Sequence, residues 1–118
     1  MKSTSRGVAG NRVALMPKTI TDWIRECHLV AREKGFWEKE RNVGEMLMLI
    51  VSELGEAIEA HRTDNFGIGK KDTFEDELAD AAIRLFDLCG GLGIDLEKQM
   101  KWKIEFNKKR EQRHGKAY

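Results

Sequence analysis

Apolar residues recur along this chain at the three- and four-residue spacing of a helix in four separate stretches, and nowhere alternate as in a half-buried strand. Each stretch is preceded by a side chain suited to a helix start. Thr19 or Thr21 opens the first, which runs through Ile24, Cys27, His28 and Ala31 and stops near Gly35. Asn42, with Glu45 three residues on, has the form of a capping box and opens the longest, through Met46, Leu47, Ile50, Leu54, Ala57 and Ile58. The glycines and Asn65 between Arg62 and Lys71 break helix. Asp72 or Thr73 then restarts it through Leu78, Ala81, Ala82, Leu85 and Leu88, with an end expected at Gly90-Gly91. Asp95 caps the fourth, which carries Leu96, Met100, Trp102 and Ile104 towards Arg113.

Each amphipathic helix must have its apolar stripe covered, so this pattern predicts an all-α four-helix bundle, completed by association with further copies where one chain falls short. A chain of 118 residues fits a single domain. Residues 1–18, mixed in Ser, Gly, Asn and Arg and ending around Pro17, read as a flexible tail, which leaves 19–118 as the helical domain.

Charged residues are 35% of the chain yet balance to +1, which excludes a bulk electrostatic drive towards nucleic-acid polymers or anionic lipid. The longest apolar run, Met46 to Val51, is too short to span a bilayer, and no apolar signal segment follows the N-terminus, so a cytoplasmic protein is expected. Cys27 and Cys89, far apart and without neighbouring histidines at metal spacing, read as reduced, packed thiols.

The chemistry-bearing feature is a repeated acid pair. Glu53, at the edge of the apolar stripe, and Glu56 stand one turn apart on the second helix, and Glu77 and Asp80 repeat the spacing on the third. If the two helices pack side by side, four carboxylates share one cleft, an arrangement that a hard divalent cation relieves. Neither pair carries the histidine of a di-iron Glu-x-x-His motif, so the all-oxygen set favours Mg²⁺, with Mn²⁺ as its substitute. The competing reading is ordinary surface acids, which are common on a chain this charged.

The stretch Ser52-Glu53-Leu54-Gly55-Glu56-Ala57-Ile58-Glu59-Ala60, followed by Glu77-Leu78-Ala79-Asp80, resembles the ExxE…ExxD signature of MazG-like nucleoside triphosphate pyrophosphohydrolases. Lys103-Ile104-Glu105-Phe106-Asn107-Lys108-Lys109-Arg110 resembles that family's K-xxx-N-xx-R helix, and Arg113-His114-Gly115-Lys116-Ala117-Tyr118 its basic end. The resemblance covers roughly residues 20–118.

It implies that Glu53, Glu56, Glu77 and Asp80 bind magnesium, and that the reaction is attack of water on a nucleotide phosphoryl group, releasing a monophosphate and pyrophosphate. Glu53 and Glu56 are the implied catalytic acids; Glu56, further from the apolar stripe, is the one expected to orient water. Lys103, Asn107 and Arg110 share a helix face at i, i+4 and i+7 and are the implied phosphate ligands. Gly35-Phe36-Trp37, ahead of Glu38 and Arg41, resembles the segment that sets an aromatic ring on the nucleobase, which makes Trp37 the base-stacking candidate, with a role as bundle cap as its alternative. A small nucleotide is the implied partner, and a homodimer or homotetramer the implied assembly. Arg84 departs from the pattern, since several relatives carry an aromatic there; it is placed to pair with Asp80 or Asp87 or to touch phosphate, and base preference does not transfer from dCTP- and dUTP-hydrolysing relatives.

Two glycine-rich segments carry no chemistry. Gly67-Ile68-Gly69-Lys70-Lys71 lacks the spacing and preceding strand of a phosphate loop, and Gly90-Gly91-Leu92-Gly93 joins helices instead of a strand and a helix. His28, His61 and His114 are scattered singly and suggest no nucleophilic triad. Two non-enzymatic readings stay open: a regulatory bundle that binds nucleotide without cleaving it, and a structural oligomerisation module in which the acids pair with Arg84 and Lys103.

Overall fold

The computed structural model describes residues 16–110. Within them the protein is all-helical: α1 spans Ile20–Glu33, α2 Val43–Arg62, α3 Phe74–Leu92 and α4 Leu96–Lys109. None of these helices is long and apolar enough to cross a membrane. Most of the expected tail, the motif 113–118 and the last turn expected for α4 lie outside the described residues. Lys18, placed in that tail, is instead anchored, with its ammonium over the Trp23 ring at 4.3 Å and paired with Glu26.

The helix starts follow from side-chain oxygens that accept otherwise unpaired amides. Thr19 accepts from the Asp22 amide and donates its own amide to the Asp22 carboxylate, a reciprocal box worth about 1 kcal/mol. Asn42, Thr73 and Asp95 do the same one-sidedly for Glu45, Asp76 and Lys98. Thr73, only 2% exposed, also donates its hydroxyl to the Gly67 carbonyl at 2.8 Å, so one side chain both starts α3 and closes the preceding loop.

The expected stop at Gly90-Gly91 is corrected: α3 continues through both glycines to Leu92 and ends at Gly93, whose φ of 69° is the left-handed conformation that terminates helices. Gly90 and Gly91 serve close packing. A Cβ at Gly90 would stand 2.6 Å from the Cβ of His28, and one at Gly91 2.2 Å from the Trp37 ring.

α3 is the central element, packed against α2 on one side and α1 on another, while α4 meets chiefly α1. The inner residues are Ile24 and Ala31 of α1, Met46, Ala57 and Ala60 of α2, and Ala81, Leu88 and Cys89 of α3. The single apolar stripe read on α2 therefore divides in two. Met46, Ala57 and Ala60 are buried, whereas Leu47, Val51, Leu54 and Ile58, themselves at helical spacing, are exposed. Helix α4 buries no residue, and Met100, Trp102, Ile104 and Phe106 stand in solvent. Its attachment is polar: the Thr21 amide donates to the Glu97 carboxylate at 2.8 Å, a bond that holds Glu97 below the usual carboxylate range.

Candidate metal centre and adjoining cavity

Packing of α2 on α3 brings Glu53, Glu77 and Asp80 together. One carboxylate oxygen from each lies within 4.8 Å of the others. The i,i+3 spacing puts Glu77 and Asp80 on one side of α3, and Glu53 reaches across from the edge of α2. Glu77 is only 7% exposed, and its carboxylate enters no ion pair among the described residues, its close polar neighbour being the Asp80 carboxyl. Burial raises the Glu77 carboxyl above its ordinary range, and the neighbouring charges of Asp80, Glu53 and Glu56 add to this. Burial and the Glu53 charge raise Asp80 in the same way. Such crowding disfavours the ionised cluster when nothing positive occupies its centre.

Glu56, the fourth acid of the set, is exposed and outside this close group. It lines a neighbouring concavity of about 390 Å³ with Glu59, Thr63, Asn65, Asp72 and Glu77. Glu77 thus faces both the three-acid cluster and the Glu56 side.

One cluster oxygen already has a cation. Arg84 Nε donates to Glu53 Oε2 at 2.7 Å, so its partner is the acid on the opposite helix, not Asp80 or Asp87 as the helical spacing suggested.

A cavity of about 700 Å³ opens beside the cluster, with Glu53, Asp80 and Arg84 at its wall. Its other lining residues include Trp23, Val30, Phe36 and Arg41, which join apolar surface to a second guanidinium. Asp80, Arg84 and Asp87 succeed one another at i, i+4 and i+7 along α3, so the cavity follows a helix face over about 10 Å.

Asp87 marks the end remote from the acid cluster and was not anticipated as a structural centre. Although 7% exposed, it is saturated with partners: the Trp37 indole N–H donates to Oδ1 at 2.8 Å, His28 Nδ1 lies 2.9 Å from the same oxygen, and Arg41 approaches Oδ2 at 3.6 Å. Trp37 also meets His28 edge-to-face and lies 5.4 Å from the Arg41 guanidinium. Trp37 therefore caps the α1–α3 contact and does not line the cavity; the aromatic rings that do are Trp23 and Phe36. The sequence signal for this network was the Gly-Gly pair three residues after Asp87, which admits His28 and Trp37 against α3.

Lys103, Asn107 and Arg110 are exposed, and none lines the cavity of this chain. Lys103 instead lies over the Phe106 ring at 5.0 Å, and Phe106 stacks on Trp102. Cys27 and Cys89 are free thiols raised by burial above their ordinary value. Comparison with known protein families, curated proteins and solved structures found no match.

Proposed function

We propose that this protein is a Mg²⁺-dependent nucleoside triphosphate pyrophosphohydrolase of the MazG-like kind. The observation that carries this reading is the convergence of Glu53 and Asp80 with Glu77, a buried carboxylate with no cationic partner among the described residues, at the wall of a nucleotide-sized cavity. An all-carboxylate oxygen set fits a hard divalent cation, and Glu53, Glu77 and Asp80 are the residues to hold it. When bound, Mg²⁺ polarises a phosphoryl group and lowers the pKa of a nearby water. Glu56, exposed one turn beyond Glu53, keeps its carboxylate free to orient that water and accept its proton. Trp23, Val30 and Phe36 offer the base an apolar wall, which tolerates any base in the absence of discriminating polar groups.

The assembly belongs to the same proposal. The exposed row Leu47, Val51, Leu54 and Ile58 on α2, and Met100, Trp102, Ile104 and Phe106 on α4, are apolar faces of the kind that mark a protein–protein contact. A second copy covers them in a homodimer or homotetramer. Lys103, Asn107 and Arg110, which do not line the cavity of their own chain, then act as phosphate ligands in a neighbour's site.

The test is pyrophosphate release from a panel of ribo- and deoxyribonucleoside triphosphates, with and without Mg²⁺, using Glu53→Ala as control. Release that needs both Mg²⁺ and Glu53 supports the reading; release from no triphosphate overturns it. The Arg84–Glu53 ion pair is the one observation that favours a structural helical module instead. On that alternative, Mg²⁺ produces no thermal shift.

A further inference from the structure

Arg84 occupies an unusual position for an ion-pair residue. It bonds an acid of the metal cluster through Nε alone, its side chain is 41% exposed, and it lines the cavity at the junction between cluster and apolar wall. Among the described residues its two terminal nitrogens make no hydrogen bond. A guanidinium presents donors on two edges, so one edge can hold Glu53 while the other faces an anion in the cavity. Among the described residues Glu53 is the member of the three-acid cluster that forms an ion pair, and the same Arg84 charge also reaches Asp80.

Taking the divalent-metal reading above as its basis, we propose that Arg84 is the resident counter-ion of the cluster. It holds Glu53 in the metal-free protein, yields that carboxylate to an arriving divalent cation, and then binds the phosphate oxygens of the ligand. The charges of the three components favour this exchange. A monovalent guanidinium and a divalent ion compete for one carboxylate, and each lowers the affinity of the site for the other. Once Glu53 is committed to the metal, the freed guanidinium faces a cavity whose other cationic lining group, Arg41, is already engaged with Asp87. A phosphate then becomes its strongest available acceptor. Arg84 would thus set metal affinity against substrate affinity, which distinguishes it from a residue that merely supports the helix pair.

The experiment is calorimetric titration of the metal-free full-length chain with Mn²⁺, followed by titration of the Mn²⁺-loaded protein with inorganic pyrophosphate, in wild type, Arg84→Gln and Arg84→Lys. The expected result is Mn²⁺ binding about tenfold tighter in Arg84→Gln, where the competing charge is gone, with pyrophosphate binding about tenfold weaker. Arg84→Lys, which keeps the charge, stays within about threefold of wild type for Mn²⁺. Unchanged or weaker Mn²⁺ binding in Arg84→Gln overturns the inference while leaving the metal reading intact. Absence of Mn²⁺ binding in wild type overturns both. A measurement independent of variant folding uses the wild-type chain: the ¹⁵Nε resonance of Arg84 should shift on addition of Mg²⁺ and again with pyrophosphate, and a resonance indifferent to both overturns the exchange.

Discussion

Helices α3 and α4 look alike in sequence, each capped by an oxygen-bearing side chain and each with an apolar stripe beside charges, yet they do opposite things. α3 lies between α1 and α2 and buries Ala81, Leu88 and Cys89 together with two acids, Glu77 and Asp87. α4 buries nothing and is tied to α1 through Glu97. The difference teaches that a buried charge is informative where an exposed one is not. Both buried acids of α3 organise their surroundings, Asp87 by gathering the Trp37 and His28 donors and the Arg41 charge, and Glu77 by meeting Asp80 and Glu53. The cations of α4, however well spaced, have no acid of the cluster to act on within one chain.

The sharpest way to break this comparison is to remove the cluster acids. Glu77→Gln or Asp80→Ala should lower Mg²⁺-dependent pyrophosphate release by about a hundredfold or more while helicity by circular dichroism is retained. Comparable loss from Lys103→Ala in a strictly monomeric form would show that α4 serves its own chain's site and would erase the distinction.

Asp87 comes next, because its loss leaves Trp37, His28 and Arg41 without their acceptor. Asp87→Ala should cost about 3 kcal/mol in urea unfolding. Gly91→Ala, which drives a Cβ into the Trp37 ring, should cost about 1–3 kcal/mol by the same measurement. A neutral effect in both would deny α3 its role as the packing centre.

Acidification separates the two helices by sign. Glu77 and Asp80 have native pKa values raised above their unfolded ones, so the charged cluster opposes folding at neutral pH. The metal-free protein should gain thermal stability as the pH falls from neutral through these raised values towards about 4, the ordinary carboxylate range. Saturating Mg²⁺ should abolish the gain. Glu97 is depressed, so its bond to Thr21 persists at neutral pH and is lost only as the pH falls below the ordinary carboxylate range, through its native value. Hydrogen exchange should accordingly register loosening of α4 at more acidic pH than the stabilisation of the cluster.

The smallest effect on folding is expected on the exposed face of α4. Ile104→Glu should change stability by less than about 0.5 kcal/mol yet, on the proposed association of copies, shift the protein to monomer in light scattering. A retained oligomer would move the interface to α2 and its row Leu47, Val51, Leu54 and Ile58.

Local signals carried far in this chain. Thr19, Asn42, Thr73 and Asp95 start the helices where their oxygens reach the third amide beyond them, an interaction complete within one turn and so written in the order of residues. The i,i+3 spacing of Glu53 with Glu56 and of Glu77 with Asp80 was equally legible, because a helix places such pairs on one side without help from the rest of the fold.

Relations between helices were not local and only packing settled them. Gly90-Gly91 has the same letters as a helix stop, and its role in admitting His28 and Trp37 depends on how closely α1 approaches α3. Arg84 had acids one turn away on its own helix, but its partner stands on α2, since a long side chain finds its acid across an interhelical gap as readily as along a turn. The division of α2 into a buried and an exposed apolar row, and of the four acids into three together and Glu56 apart, likewise depends on the rotation of one helix against another. Helical periodicity defines faces; the choice of which face meets which neighbour is a free energy of the whole packed chain, and it decided where the charges of this protein converge.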